Sequence, residues 1–161
     1  QGTVLASKLI AAAAMQRGLP VMSAETIGMA QRGGSVFSNI RLGEGVHSPM
    51  IEKGTADLIL GFEPGEAVRM LPFLKTGGTV VTSDRAVVPA SASLSGFDYQ
   101  GGTMVEYLKK TVAKLVVVDG AAACAALGSS RVLNMVLLGA AVRTGELGLA
   151  LEDILAEFGS F

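Results

Sequence analysis

Three short runs of apolar residues constrain the fold of this chain more than any other feature. They are Ala56 to Gly61, Thr79 to Thr82 and Leu115 to Val118. A short continuous apolar run is typical of a strand that is buried on both faces, as strands of a parallel sheet are. Because helical patterns separate the runs, the chain is predicted to be an α/β protein. We expect a Rossmann-like three-layer αβα fold with a mostly parallel sheet.

Helical spacing and capping signals predict the helices between these strands. The first predicted helix covers residues 3–17, and the second runs from Pro64 through Ala67, Met70, Leu71 and Leu74 and stops at Gly77. The third starts at the Thr103 and Glu106 capping pattern, and the fourth covers residues 121–127. The fifth is capped by Ser129 or Ser130 and ends near Arg143, and a short last helix lies around residues 151–158. In the helix ending near Arg143, one face is predicted to hold Val132, Met135, Val136, Gly139 and Ala140. Gly139 is expected to allow another element to approach closely there.

Further strands and loops complete the prediction. Residues 21–25 read as a short strand, residues 36–42 as an antiparallel or edge strand, and residues 85–88 as one more strand. Glycine-rich or serine-rich loops are expected over residues 27–34 and 90–102. With no internal repeat and no low-complexity linker, residues 1–161 are interpreted as a single domain.

Two residue counts limit the chemistry of the chain on its own. Cys124 is the only cysteine, so no disulfide can form within the chain, and a reducing cytoplasm is the expected location. One thiol cannot hold an iron–sulfur cluster, which needs several thiolates. His47 is the only histidine, which argues against a zinc site built by this chain alone.

Charge and hydropathy limit the partners. A formal net charge of −1 offers no basic surface for nucleic acid. The apolar runs are interrupted by Asp119 and Asn134 and do not reach the roughly 20 residues of a membrane span. Residues 4–15 contain Lys8 and are not interpreted as a signal peptide. Residue 1 is Gln rather than Met, so the native start is expected to lie upstream.

Three places carry candidate binding residues. Gly2 stands before the first helix, whose free N–H groups favour an anion. Gln31, Arg32, Gly33, Gly34 and Ser35 combine an arginine fork with glycine backbone and polar donors, a set that can meet a phosphate or carboxylate. Glu63 follows a buried strand, at the sheet edge where ligands bind in open α/β folds.

Each candidate also has a structural interpretation. Gly2 can be a simple helix start, Arg32 can lie in a polar turn, and Glu63 can cap the next helix as readily as it binds a ligand or a partner's basic group. For three other residues we prefer the structural interpretation: His47 in a surface turn, Asp119 as a helix cap and Cys124 as a small apolar side chain.

Several of these segments together resemble the beta subunit of indolepyruvate ferredoxin oxidoreductase. The resemblance runs over nearly the whole chain and rests on residues 28–36 (GMAQRGGSV), 48–49 (SP), 56–57 (AD), 62–64 (FEP), 72–74 (PFL), 77–78 (GG) and 131–139 (RVLNMVLLG). Gln1 and Gly2 look like the end of the family's N-terminal Gly-Gly-Gln-Gly turn. Gly65 departs from the family pattern, in which a bulkier residue such as leucine is expected.

The resemblance implies a gamma-type catalytic domain over residues 1–161 that acts as the small subunit of a complex. Such complexes oxidise an aryl 2-oxoacid with coenzyme A to an acyl-CoA and carbon dioxide, and pass the electrons to ferredoxin. Thiamine diphosphate, Mg²⁺ and iron–sulfur clusters are implied on the larger alpha subunit, with none bound by this chain alone. Gly2, Gln31, Arg32, Gly33, Gly34, Ser35 and Glu63 are then the residues expected to contact coenzyme A or the partner.

Other functions stay open at this point. The chain could be the gamma subunit of an enzyme for pyruvate, 2-oxoglutarate or a branched-chain 2-oxoacid, or a structural assembly module without a ligand. A stand-alone dinucleotide-binding oxidoreductase needs a full Gly-x-Gly-x-x-Gly turn after a first strand, which the visible N-terminus does not supply. The high apolar content, half of all residues, also makes self-association an expectation.

Overall fold

A parallel sheet of three strands organises the larger part of the described chain. The computed structural model describes residues 2–26, 35–87, 99–129 and 132–160. The helices are α1 (Thr3–Gln16), α2 (Pro64–Met70), α3 (Gly101–Thr111), α4 (Gly120–Leu127), α5 (Leu133–Arg143) and α6 (Leu151–Glu157). The strands are β1 (Val21–Glu25), β2 (Ser38–Leu42), β3 (Ala56–Gly61), β4 (Leu74–Ser83) and β5 (Lys114–Val118).

The strands form two sheets. Strands β3, β4 and β5 are parallel neighbours in that order, and Val80 of β4 lies opposite both Ile59 and Leu115. The three apolar runs are therefore the parallel strands that the sequence predicts. Strands β1 and β2 form a separate antiparallel pair, with Val21 opposite Leu42. The predicted antiparallel or edge character of residues 36–42 is thus confirmed, although the strand begins only at Ser38.

Helices cover both faces of the parallel sheet. On one face, Ile59 and Val80 pack against Ala67 of α2 and Leu108 of α3. On the other face, Val81 packs against α5 through residues that include Leu137 and Ala141. Adjacent residues of β4 point to opposite faces because side chains alternate along a strand. The three-layer αβα arrangement is confirmed.

A third apolar cluster joins α1, α5 and α6 to the antiparallel pair. Its fully buried members include Leu9 and Ala13 of α1, Leu138 of α5 and Ile154 of α6. The predicted last helix is therefore present, and Ile154 is its main buried apolar residue, whereas Leu155 is 54% exposed. Within the described residues, no helix has both the length and the apolar character needed to cross a membrane.

The prediction of a helix from Pro64 to Gly77 is wrong in its second half. Helix α2 ends at Met70, a short 3₁₀ turn follows, and Leu74 already belongs to β4. Pro72 lies in that turn, and a proline has no N–H to continue the helical hydrogen bonds. The Gly77–Gly78 pair therefore lies inside β4 instead of ending a helix. Around this pair the register of β4 against β3 shifts, between the pairs Ala56–Leu74 and Leu58–Thr79.

Three boundary predictions are also wrong. Residues 85–87 form no strand, because Arg85 N donates to Ser83 Oγ (3.0 Å) and the chain turns there. Helix α3 begins at Gly101, and the N–H of Thr103 bonds to the Gln100 carbonyl, so Thr103 is inside the helix rather than its cap. Helix α5 begins at Leu133 with Val132 in the N-cap position, so it does not start directly after Ser129, and Ser130 lies outside the described residues.

The face predicted for α5 is not its most buried face, and the close approach predicted at Gly139 is wrong. The buried residues are Leu133, Leu137, Leu138, Ala141 and Val142, and the predicted face is only half-buried. A Cβ atom on Gly139 would meet nothing within 4 Å, so no element of the described part of the chain approaches closely at this glycine. Because nearly every position of the helix is apolar, its periodicity does not distinguish the faces.

Candidate functional site

Three carboxylates lie at the carboxyl edge of the parallel sheet, one after each strand. Glu63 follows β3, Asp84 follows β4 and Asp119 follows β5. Glu63 Oε2 accepts from Glu66 N (2.9 Å), Asp84 Oδ1 from Gly120 N (2.9 Å) and Asp119 Oδ1 from Ala122 N (2.8 Å). All three acids therefore hold backbone N–H groups at the first turns of helices. The cap interpretation of Asp119 is confirmed.

The second oxygen of Glu63 is also engaged. The hydroxyl of Tyr99 donates to Glu63 Oε1 and accepts from Gly65 N at 3.1 Å. Both carboxylate oxygens of Glu63 thus bond within the protein. The structure shows Glu63 as the cap of α2, and the ligand-binding alternative stays a prediction.

The surroundings of Tyr99 keep its hydroxyl protonated. Partial burial raises the pKa of Tyr99 well above its ordinary value, and the hydrogen bond to Glu63 and the charge of that carboxylate raise it further. A phenol that stays neutral remains a hydrogen-bond donor over the whole physiological range. Tyr99 is therefore a fixed link between Glu63 and the backbone of α2.

Gly65 makes this link sterically feasible. A Cβ atom on Gly65 would lie 2.4 Å from the Tyr99 hydroxyl, so any larger residue would push the phenol away. Glycine stands here in place of the expected leucine, and Tyr99 occupies the space that a larger side chain would need. The two residues are 34 positions apart, and no local sequence signal connects them.

The end of the glycine-rich segment is anchored on the same helix. The hydroxyl of Ser35 donates to Glu66 Oε2, and Glu66 Oε1 lies 3.5 Å from Arg69 Nη2. The structure therefore places Ser35 against Glu66, in the first turn of the helix that Glu63 caps. Gln31, Arg32, Gly33 and Gly34 lie outside the described residues, so their predicted roles stay untested.

Gly2, the remaining candidate, starts α1 beside the same space. It is buried against Asn134 of α5, and a Cβ atom here would lie 2.0 Å from Asn134 Nδ2. The next residue, Thr3, lines a cavity of about 200 Å³ together with Glu63 and Glu66. The first turns of α1 and α2 therefore face one cavity. Among the described residues, no side chain caps α1 and its first turn holds no acid.

Sequence reasoning missed Tyr99, Glu66 and Asn134 as members of this site. Glu66 stands three residues after Glu63, but the pair was not recognised as two anchors on one turn. Tyr99 and Asn134 reach the site only through the tertiary fold. His47 is exposed in an irregular segment, in agreement with the surface-turn interpretation. Cys124 is half-buried beside the apolar cluster on the α5 face, 3.8 Å from Arg85 Nη1.

The residues of this chain do not supply the ligands of an iron–sulfur cluster. A single cysteine cannot supply the several thiolates of an iron–sulfur cluster. In the part of the chain that the structure describes, no three His, Cys, Asp or Glu side chains are grouped so as to hold a metal ion. The three carboxylates at the sheet edge are engaged by helix N–H groups.

Comparison with known proteins places this arrangement in a family. The indolepyruvate oxidoreductase subunit IorB of Thermococcus kodakarensis is 36% identical over 159 residues, 96% of this chain and 77% of that subunit. IorB of Archaeoglobus fulgidus is 36% identical over 140 residues, 86% of this chain and 69% of that subunit.

A solved structure supports the fold. The gamma subunit of a keto/oxoacid ferredoxin oxidoreductase from Geobacter sulfurreducens matches with a TM-score of 0.60 and 18% identity, over 95% of this chain and 75% of that one. The family model described as pyruvate ferredoxin/flavodoxin oxidoreductase matches residues 1–159. The resemblance noted in the sequence is confirmed, and this chain belongs to the pyruvate ferredoxin/flavodoxin oxidoreductase family.

Proposed function

We propose that this chain is the small subunit of an indolepyruvate-type 2-oxoacid:ferredoxin oxidoreductase. The observation that carries the proposal is the 36% identity to an IorB subunit over 96% of the chain. In the reaction, the bond between the carboxylate and the keto carbon of an aryl 2-oxoacid breaks and carbon dioxide leaves. The acyl group joins the sulfur of coenzyme A, whose thiol gives up its proton, and the two electrons released reduce ferredoxin. Residues 1–161 act as one gamma-type catalytic domain of this complex.

The cofactors reside on a larger alpha subunit. Thiamine diphosphate with Mg²⁺ supplies the decarboxylation chemistry there, and iron–sulfur clusters carry the electrons to ferredoxin. Two features of this chain support that division: it has one cysteine, and the acids at its sheet edge are bonded to helix backbones. The complex works in the cytoplasm, where a free thiol such as Cys124 stays reduced.

The contribution of this chain is a contact surface for coenzyme A or the larger subunit, formed by Gly2, Gln31, Arg32, Gly33, Gly34, Ser35 and Glu63. Ser35 and Glu63 are fixed on the first turn of α2. Two carboxylates lie on that turn, so its charge disfavours the phosphates of coenzyme A. The positive charge of Arg32 and the backbone of Gly33 and Gly34 are the groups suited to meet them.

Reconstitution tests the subunit assignment. The chain is co-expressed with the larger subunit, and reduction of a viologen dye is measured with indolepyruvate, pyruvate, 2-oxoglutarate and a branched-chain 2-oxoacid. We expect the isolated chain to be colourless and inactive, and the complex to prefer indolepyruvate. Preference for another 2-oxoacid would overturn the substrate assignment, and turnover by the isolated chain would overturn the subunit role.

A matched pair of arginine variants tests the contact surface. Arg32→Ala is compared with Arg143→Ala, which removes an exposed arginine at the far end of α5. We expect Arg32→Ala alone to raise the KM for coenzyme A about tenfold, with assembly measured by gel filtration unchanged. An unchanged KM with weakened assembly would make the surface a partner contact. An unchanged KM with unchanged assembly would remove Arg32 from it.

A further inference from the structure

The parallel sheet ends at β5 in a strand edge without the usual protection. Among the described residues, β5 pairs only with β4, so its other side presents backbone N–H and C=O groups. Proteins normally protect such an edge with charged side chains, a proline or a bulge. After Lys114, however, β5 consists of leucine and valine alone, and Val116 in its middle is 38% exposed. The edge of β5 is therefore suited to pair with another strand.

Helix α4 extends this apolar surface on one face of the sheet. The helix is built of glycine, alanine, Cys124 and Leu127, without a charged, hydroxyl or amide side chain. Ala123 and Cys124 pack against the same apolar cluster as Val118 of β5. The rest of the helix is largely exposed, through Ala121, Ala122, Ala125, Ala126 and Leu127. A helix that is apolar all round is normally buried, so we expect another polypeptide to cover this side of α4.

A second copy of this chain fits both features at once. A two-fold axis normal to the sheet would make the two β5 strands antiparallel and would keep each helix layer on its own face of the sheet. Helix α4 of one copy would then lie beside α4 of the other, next to the joined strands. Alanine side chains at such a contact allow two helices to approach closely. The strand edge and the exposed side of α4 would therefore be covered by the same partner.

The alternation of side chains fixes the register of this pairing. Residues directly opposite each other in an antiparallel pair point to the same face of the sheet. Under the two-fold axis, one residue of β5 must therefore lie opposite its own copy, and Val116 is the middle residue of the strand. In this register Lys114 lies opposite Val118 of the other copy. The two lysines are thus kept apart, and like charges do not face each other across the strands.

The charges at the two ends of β5 favour the antiparallel arrangement. Lys114 begins the strand, is exposed, and approaches Glu146 only to 3.9 Å. Asp119 follows the strand and is also exposed, with Oδ1 accepting from Ala122 N. Antiparallel pairing brings the positive end of one strand to the negative end of the other. An in-register parallel strand of a second copy would bring like charges together at both ends.

We propose that β5 and α4 form the interface of a homodimer of this chain. The two β5 strands pair antiparallel about Val116, so that two parallel three-stranded sheets become one sheet of six strands. Helix α4 packs against its own copy over the joined strands. This inference does not depend on the proposed function, because the interface contains none of the residues of the proposed contact surface.

Sedimentation velocity over a range of protein concentrations tests the dimer. We expect the protein to sediment as a dimer, and Val116→Lys to weaken dimerisation at least about tenfold, because it buries two like charges opposite each other. Val116→Thr is the matched control, since threonine is branched and uncharged like valine, and it should leave the dimer intact. Circular dichroism checks that both variants are folded. A protein that is monomeric at every concentration, or equal dimerisation of the two variants, would overturn the proposal.

A second pair of variants tests the contact between the two α4 helices. Ala125→Glu places a charge on the exposed side of α4 and should also weaken dimerisation about tenfold. Ala156→Glu places the same charge on an exposed alanine of α6 and should have no effect. Equal dimerisation of these two variants would remove α4 from the interface and contradict the proposal.

Disulfide formation tests the register of the two strands. In a Cys124→Ser background, Val116→Cys should place two thiols opposite each other, within the roughly 7 Å between Cα atoms that a disulfide allows. We expect oxidised glutathione to convert this variant into a covalent dimer on a non-reducing gel. Leu155→Cys, exposed on α6, is the control and should remain a single chain. Equal cross-linking of both variants, or none by Val116→Cys, would exclude the pairing about Val116.

The larger subunit is the alternative partner for this surface. If the protein alone is monomeric and Val116→Lys prevents binding of the larger subunit, the surface belongs to that subunit and the homodimer is excluded. If Val116→Lys instead abolishes the dimer and still binds the larger subunit, the surface is an interface between copies of this chain, as proposed.

Discussion

The first turns of α1 and α2 face the same cavity but are built in opposite ways. In α2, Pro64 has no N–H, Gly65 N bonds to Tyr99 and Glu66 N bonds to Glu63, so the first turn is fully satisfied. In α1, the described residues provide no side-chain cap and no acid in the first turn. The comparison shows that α2 is a structural anchor, whereas α1 has no such cap among the described side chains at its positive end.

Removing Glu63 should lower the stability of the protein more than any other change at these two helix ends. Glu63→Ala deletes the cap of α2 and leaves the Tyr99 hydroxyl without its acceptor, so the free energy of unfolding should fall by about 2–3 kcal/mol. Asp119→Ala is the matched control, because it removes one cap and should cost about 1 kcal/mol. Urea denaturation of both variants measures the difference. Equal losses would show that the bond to Tyr99 adds nothing.

The next effect comes from the space at Gly65. Gly65→Ala places a Cβ atom 2.4 Å from the Tyr99 hydroxyl and should cost about 1–2 kcal/mol of stability. Gly102→Ala is the control, since a Cβ atom there meets nothing within 4 Å. Adding Tyr99→Phe to Gly65→Ala should recover part of the loss in thermal unfolding. If the double variant is no better than the single one, the hydroxyl is not the obstacle.

The raised pKa of Tyr99 makes the α2 anchor sensitive to alkaline pH. The folded state keeps the phenol protonated at a pH where the unfolded chain ionises it, so its stabilisation is complete below about pH 10 and declines above that. Stability should therefore fall as pH rises through this range, and Tyr99→Phe should flatten the decline. Ultraviolet titration should show a late-ionising tyrosine that disappears in Tyr99→Phe. A late component that persists in the variant would exclude Tyr99 as its source.

The smallest effect should be found at α1. Val4 is exposed in its first turn, and Val4→Glu places a negative charge at the uncapped helix end. We expect a gain of about 0.5 kcal/mol over Val4→Gln at low salt, and the gain should shrink as salt is added. Chemical denaturation at two salt concentrations measures it. A gain that is independent of salt would contradict a helix-dipole origin.

The sequence predicted the parallel sheet well because β3, β4 and β5 are marked by local apolar runs. The prediction from sequence failed where one segment fits both a helix and a strand. Met70, Leu71 and Leu74 have helical spacing, but Pro72 ends the helix and Leu74 starts a strand. In α5 nearly every residue is apolar, so the spacing could not show which face is buried.

For the candidate site, the sequence identified individual residues but not their partners. Glu63 was placed correctly after a strand because strand ends are visible in the apolar pattern. Its partner Tyr99 lies 36 residues away, and Ser35 lies 31 residues from Glu66. Such pairings depend on the tertiary fold, which brings distant segments to one sheet edge, and no periodicity encodes them.

The long separations between these partners have a consequence for folding kinetics. Closing a chain segment of 31 or 36 residues costs entropy that a single hydrogen bond does not recover, so we expect these bonds to form after the sheet has assembled. We therefore expect Tyr99→Phe to speed unfolding in stopped-flow experiments and to leave the refolding rate nearly unchanged. Slower refolding of the variant would mean that α2 and Tyr99 already meet in the transition state. In that case the carboxyl edge of the sheet would be an early folding nucleus.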